Sequence, residues 1–455
     1  MKKGLVAVIM ALVMTMGCLT GCGGSKSDKP ADAGKTATEH GKVINIYGWN
    51  ESFKTLVDKY YIPTGRLPKD VKINWVTIPS ADNAYQNALD EALLKQKDVS
   101  ADKKVDLFLV EADYALKYAQ SDVTLDVQKD VGLTQDQMSQ MYEYTKQIMT
   151  TKDGAIKGVS GFASPGLFAY RRSIAKGVLG TDDPKEVQNY LSDWNKFDEI
   201  AKKANDKGYK MLAGYSDSYR VFSNNVSSPW VDGTKIVIDK NILNWVDQTK
   251  KYTDSGYNNK HGIWSDGWSA DQGPKGNVLS FFYSTWGVNF TLMGNSLAKS
   301  VADGGKEEVG NGIYGDYGIC LGPQSFYWGG TWLCAANGSD NIPEVKDIMQ
   351  FFTCEKEPMK KMATETIDFA NNKEAMEEVA KSDFKSAFLA GQNPYTYFCE
   401  AALNIDMKNT SIYDQGLNDA LGKAMGDYFD NNVDYNTALE NFYKIVNEKY
   451  PELQK

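Results

Sequence analysis

The chain has 455 residues, of which 42% are hydrophobic and 24% charged, and its formal net charge is −9. That length exceeds one ordinary core and predicts two domains of soluble, globular composition. The acidic balance argues against a nucleic-acid footprint, which needs basic surface. Two histidines, His40 and His261, argue against metal capture and histidine-dependent catalysis, so neither a metal nor a cofactor is expected. Four arginines stand against 46 lysines, and a bidentate anion clamp could form only around Arg171, Arg172 and Arg220.

The first element is a leader. Lys2 and Lys3 precede a long apolar run that ends in Leu19-Thr20-Gly21-Cys22. The run is short for a membrane span and carries the flanks of a signal peptide. Its end resembles the lipobox of bacterial lipoproteins. That resemblance implies cleavage after residue 21, diacylglycerol on Cys22, and anchorage to the outer face of the cell membrane. Loss of Lys2 and Lys3 would take the net charge to −11. Residues 22–41 are small, polar and charged without apolar period, and predict a flexible tether.

Three strands follow. Val43 to Tyr47 is one. Val71, Ile73, Trp75 and Thr77 alternate as in a half-buried strand, and Leu107-Phe108-Leu109-Val110 is the continuous run of a strand covered on both faces. A helical stretch over 82–96 lies between them, so the order reads as a parallel α/β sheet. Helices are also predicted after Ser192-Asp193, from Pro343, and over Leu439 to Val446. Cys320, Cys334, Cys354 and Cys399 have no Cys-x-x-Cys spacing. They read as buried thiols, with one disulfide open in an exported compartment.

In open parallel sheets, ligands bind beyond the carboxyl ends of the strands. Two such ends join an aromatic to carboxylates: Trp49-Asn50-Glu51, and Glu111-Ala112-Asp113-Tyr114. Trp49 could equally pack at its strand end, Glu51 could serve the following helix start, and Glu111 with Asp113 could be a solvated pair. The two acids could also be read as an acid and base of a glycosidase, for which spacing alone is weak evidence.

In order along the chain, the lipobox, the tether, "INIYGWNESF", "DLFLVEADYALKY" and "WGGTWLCAANGS" resemble the family 1 extracellular solute-binding proteins. These are carbohydrate-type receptors of ABC importers, similar in build to maltose-binding protein. The resemblance covers residues 42–455 and implies two hinge-linked, discontinuous α/β lobes with ligand in the cleft between them. The first lobe would hold 42–162 and 318–345, the second 163–317 and 346–455. Crossings are expected near Phe162–Pro165, near Tyr317–Pro323, and after the helix that begins at Pro343.

The resemblance also implies a site. Trp49 would cover a sugar face while Asn50 and Glu51 serve its hydroxyl rim, with Glu111 and Asp113 of the same kind. From the second lobe, Tyr215, Asp217 and Arg220 would face the cleft. Trp286 resembles in position the aromatic that stacks on sugar in this family. Trp264 and Trp268, in a Gly-rich loop, need a partner in core or ligand. Trp328, Gly329 and Gly330 would line the cleft, with Trp332 and Trp194 structural. Asn371, Asn372, Gln392 and Asn393 are weaker candidates, more readily ordinary loop residues. The expected protein is a monomeric, lipid-anchored receptor, not an enzyme, delivering an oligosaccharide to an ABC permease. A polyamine is the rival ligand, since Trp, Tyr, Glu and Asp also make a cation site, and an extracellular glycosidase is the rival activity.

Overall fold

A computed structural model of the protein describes residues 41–455. The leader, Cys22 and the tether up to residue 40 lie outside the described residues. No helix among the described residues is long and apolar enough to cross a membrane.

Two sheets organise the chain. The first runs in the order β2-β1-β3-β10-β4, with β1 Val43–Gly48, β2 Lys72–Thr77, β3 Leu107–Glu111, β10 Thr331–Ala335 and β4 Val159–Ser160. β1, β2 and β3 are parallel, as the strand–helix alternation predicts, and Ile46 stands beside both Trp75 and Leu107. β10 is antiparallel to β3 and β4, because the chain returns to this sheet from the opposite end. The second sheet is β8-β5-β9, with β5 Gly166–Arg171, β8 Ser280–Ser284 and β9 Tyr317–Cys320. Both neighbours run antiparallel to β5, with Phe168 opposite Phe282 and Cys320. Every residue of these three strands is buried, which their apolar content allows. A hairpin, β6 Val231–Asp232 with β7 Lys235–Ile236, stands apart.

The predicted helices form where capping and apolar spacing agree. Asp193 accepts from the Lys196 amide at the start of Trp194–Asp206, which buries Phe197, Ile200, Ala201 and Ala204. Helix Ala84–Leu94 buries Tyr85, Leu89 and Leu93. Trp194 stacks on Phe222 at 4.4 Å and is structural, as expected. A second core joins Lys240–Asp254, Asp414–Phe429 and Tyr435–Lys449 through Trp245, Leu417, Phe429 and Phe442.

The chain passes between the sheets three times, and the passages are hydrogen-bonded to one another. The outgoing segment bridges the second at Pro165–Tyr327 and the third at Phe162–Ala370. The Gly166 amide donates to the Phe326 carbonyl at 2.7 Å, Ala163 to Phe369 at 2.9 Å, and Asn371 to Gly161 at 2.8 Å. The first passage runs between β4 and β5, over residues 161–165. The expected return at residue 318 falls inside β9, which belongs to the second sheet through Cys320, so the chain returns only after it. The expected boundary at 345/346 also moves. Helix Ile342–Thr353 packs on β4 and β10, and the next helix, Lys356–Thr366, is tied to the same side by the Lys59–Glu365 ion pair. The third passage is therefore Ile367–Asn372.

Asn371, weighed above as a polar ligand group, instead fastens these passages. It is fully buried; its oxygen accepts from the Tyr142 amide at 2.9 Å, and its nitrogen donates to the Ser160 carbonyl at 2.9 Å and Thr145 Oγ1 at 3.0 Å. Asn372 caps the helix Lys373–Ala380, Gln392 pairs both backbone groups of Ile319, and Asn393 Oδ1 accepts from the Tyr395 amide just before the helix Tyr395–Leu403. All four cysteines are free thiols; burial pushes Cys320 up to about 12 and Cys399 up to about 11.

Buried carboxyls make the stability depend on pH. Burial raises Asp106 and Asp217 to about 6 and Asp414 to about 7. A carboxyl raised in the folded state holds its proton where the unfolded chain has lost it, so its contribution to stability is largest in acid and falls as pH rises through about 4 to 7. Melting temperature should therefore rise on going from pH 8 to pH 5, and Asp106→Asn should flatten part of that slope; a flat or opposite profile in a scanning-calorimetry series would contradict the buried-carboxyl account. Asn371→Ala should lower stability by about 2–4 kcal/mol, because it strands the Tyr142 amide and Ser160 carbonyl without partners. A urea melt measures this.

Candidate functional site

The site is best built from its tryptophans. β8 ends in the turn Thr285–Gly287, which carries Trp286 out of the second sheet. The Trp286 indole N–H donates to the Trp328 carbonyl at 2.8 Å, which fixes one ring against the chain segment that returns to the first sheet. That segment can approach because Gly329 has no side chain: its φ is +76°, and a Cβ there would lie 2.9 Å from Trp286 Nε1. Gly330, at φ +112°, sits over the Trp332 ring in the same way.

Trp264 completes the cluster. Its ring lies 6.2 Å from Trp286 at 21°, close to parallel, and 6.1 Å from Trp328. It is 55% exposed and holds φ +71°, a left-handed conformation unusual for a bulky side chain. Cost without burial is what a ligand contact would explain. Phe290, 67% exposed, stands 6.0 Å from Trp286 on its outer side. Sequence reasoning missed it, although its spacing of four from Trp286 on a helical turn was a readable signal.

Next to the rings lies a charge pair. Arg220 Nη1 and Nη2 donate to Asp113 Oδ1 and Oδ2 at 2.8 and 2.7 Å, a bidentate fork from the helix Tyr219–Ser223 to the exit of β3. The guanidinium also sits over the Trp328 ring at 5.6 Å. Burial works against the Asp113 anion, but the Arg220 charge and hydrogen bonds outweigh it and hold the carboxyl below its usual range. Glu111 goes the other way: burial, then the Asp113 charge, push it well above the usual range. Its carboxylate accepts from the Asp113 amide at 2.8 Å. Beneath the pair, the hydroxyls of Tyr114 and Tyr327 are buried without partners among the described residues and line a cavity of about 70 Å³. That is room enough for ordered water, which such hydroxyls could bond.

Several expected contacts are committed elsewhere. Trp268 is 1% exposed, and its indole donates to Asp217 at 3.0 Å; Asp217 is itself buried and accepts from the Ala213 and Gly214 amides. The two satisfy each other as scaffold beneath the Trp264 loop, which corrects the expectation for both. Tyr215 packs on Phe429 at 5.2 Å and gives its hydroxyl to Asp430, in the second core rather than beside the tryptophans. Trp328 is 8% exposed, so most of it is packed, and Trp332 is core, with its indole on the Thr145 carbonyl. Trp49 is half-buried against Tyr85 at 5.7 Å. Asn50 and Glu51 beside it are exposed, and no ring contact among the described residues joins Trp49 to the Trp264–Trp286–Trp328 group. The Glu51 carboxylate makes no cap to the helix that follows it. Arg171 pairs with Asp316 at 2.9 Å and Arg172 with backbone carbonyls, so of the three clamp candidates only Arg220 reaches the site. Among the described residues no group of three or more His, Cys, Asp or Glu is arranged to hold a metal ion.

No curated protein sequence matches the chain closely. Solved structures do match in fold. A structure described as extracellular solute-binding protein family 1 superposes with a TM-score of 0.72 at 16% identity, over 89% of this chain and 99% of its own. An ABC transporter-associated binding protein from B. animalis subsp. lactis Bl-04, in complex with beta-1,6-galactobiose, gives 0.63 at 16% identity, over 91% and 99%. An ABC substrate-binding protein from Listeria monocytogenes, in complex with cycloalternan, gives 0.62 at 14%, over 91% and 100%. The two sheets and their three linking passages are thus the two-lobed α/β architecture of these receptors. The pattern described as bacterial extracellular solute-binding protein matches residues 55–388, and the chain belongs to that family of binding proteins, which are not enzymes.

Proposed function

We propose that the protein is the receptor of an ABC importer that captures an oligosaccharide and delivers it to a permease, held outside the membrane as a monomer by a lipid on Cys22. The observation that carries the reading is the pair of near-parallel rings of Trp264 and Trp286 beside the Asp113–Arg220 fork. A sugar ring presents C–H faces to aromatic rings and a rim of hydroxyls to polar groups, and this site offers both on adjoining surfaces. Glycans in two of the similar structures support the class of ligand. The three linking passages, which join two otherwise separate sheets, are where hinge closure over the ligand would bend. Trp49, Asn50, Glu51 and Glu111 stand at the ends of the first-sheet strands and are proposed as the surface that would meet the ligand from that side.

A thermal-shift screen of residues 23–455 against mono- and oligosaccharides, polyamines and amino acids tests the assignment. Ligand at 100 times its dissociation constant should add about 2.7 kcal/mol of stability. Shifts confined to amino acids would sink the carbohydrate reading while leaving the fold untouched. With the ligand in hand, Trp264→Ala should weaken binding about tenfold or more, near 1.4 kcal/mol, while the melting temperature of the free protein barely moves, since the ring is mostly exposed. An unchanged affinity by calorimetry would remove Trp264 from the site.

A further inference from the structure

We infer that Arg220 is the residue that sets the charge selectivity of this site: it is a built-in cation that occupies the place a ligand ammonium would take, so the site accepts uncharged ligands and rejects amines. The inference rests on the solute-site reading above and narrows its ligand class.

A protein site for an organic cation needs a carboxylate and an aromatic face. At the Asp113–Trp328 end of the site both are present, and both are already used by the same side chain. Asp113 has both carboxylate oxygens in the Arg220 fork, and the Trp328 ring has the guanidinium 5.6 Å from its centroid. An incoming ammonium would have to displace a bidentate, always-charged partner or lie against it, where like charges repel. A neutral polyol meets no such barrier. Only Nη1 and Nη2 of Arg220 have a hydrogen-bond partner among the described residues, one each, which leaves N–H donors for hydroxyl oxygens. Without Arg220 the balance would invert. Asp113 and Glu111 act on the Arg220 charge, Asp414 from the neighbouring helix Asp414–Phe429 lines the same cavity as Asp113 and Arg220, and among the described residues no other arginine or lysine forms an ion pair with Asp113. An Asp113 carboxylate freed of its partner, with the Trp328 ring freed of the guanidinium, would be the makings of an amine site.

The test is calorimetric titration of spermidine, and separately of a panel of neutral di- and trisaccharides, into the wild-type protein, Arg220→Gln, Arg220→Lys, and the double variant Arg220→Gln with Asp113→Asn. Arg220→Met serves alongside Arg220→Gln, because its apolar stem keeps the packing on Trp328; near-ultraviolet circular dichroism verifies the fold of each. The wild type and Arg220→Lys should show no spermidine binding. Arg220→Gln or Arg220→Met should bind it about tenfold or more tightly than the wild type, and the double variant should lose that gain. Spermidine binding by the wild type overturns the inference, as does a folded Arg220→Gln and Arg220→Met pair with no gain. If the amine gain is seen while no saccharide binds the wild type, the oligosaccharide reading fails and the role of Arg220 stands.

Discussion

The three adjacent passages between the sheets are the constraint on which the remaining structure depends. The first sheet gains β10 only after the chain has crossed and returned, and the helices beyond Asn372 are reached only by the third crossing. Those passages must run side by side in register, which the Pro165–Tyr327 and Phe162–Ala370 bridges enforce. Asn371 supplies the buried amide that ties the third passage to Tyr142 and Ser160. The second passage carries Trp328, Gly329 and Gly330 directly into the aromatic cluster. The element that links the lobes and the element that lines the site are therefore one continuous piece of backbone, and any bend in the first displaces the second.

Local pattern in the sequence was a good guide wherever the physics was local. Alternation in Val71–Thr77, the apolar run at Leu107–Val110 and the Asp193 cap each reflect neighbours a few residues away, and each element forms where it was expected. Trp286 was legible as the aromatic after a strand-like run, and Gly329 as a close approach of backbone. Contacts between distant residues were not. Asp217 and Trp268 looked like ligand groups because each, taken alone, is a polar or aromatic side chain in a loop; they lie 51 residues apart and satisfy each other. Asp113 and Arg220 lie 107 apart, and nothing in their spacing announces a fork. The antiparallel course of β10 and the wholly antiparallel second sheet were likewise set by the direction of return, which a strand's own residues do not encode.

The electrostatics of the site follow from burial acting unequally on neighbours. Asp113 and Glu111 are two residues apart, yet one is held as an anion by Arg220 while the other is driven towards its neutral form. The same residue chemistry is thus pushed in opposite directions at neighbouring positions. A ligand hydroxyl, which can both give and take, is the natural complement to such a pair.

The geometry of Trp264 has an optical consequence. Of the large hydrophobic side chains that remain exposed it is the one tryptophan, at 55%, and its ring lies nearly parallel to Trp286 at 6.2 Å. Two indoles so close exchange excitation energy faster than they emit. Light absorbed in the cluster therefore reports on the ring that meets solvent, and a guest that strips water from that ring would alter the colour and yield of its emission. The protein thus carries its own fluorophore at the proposed ligand site.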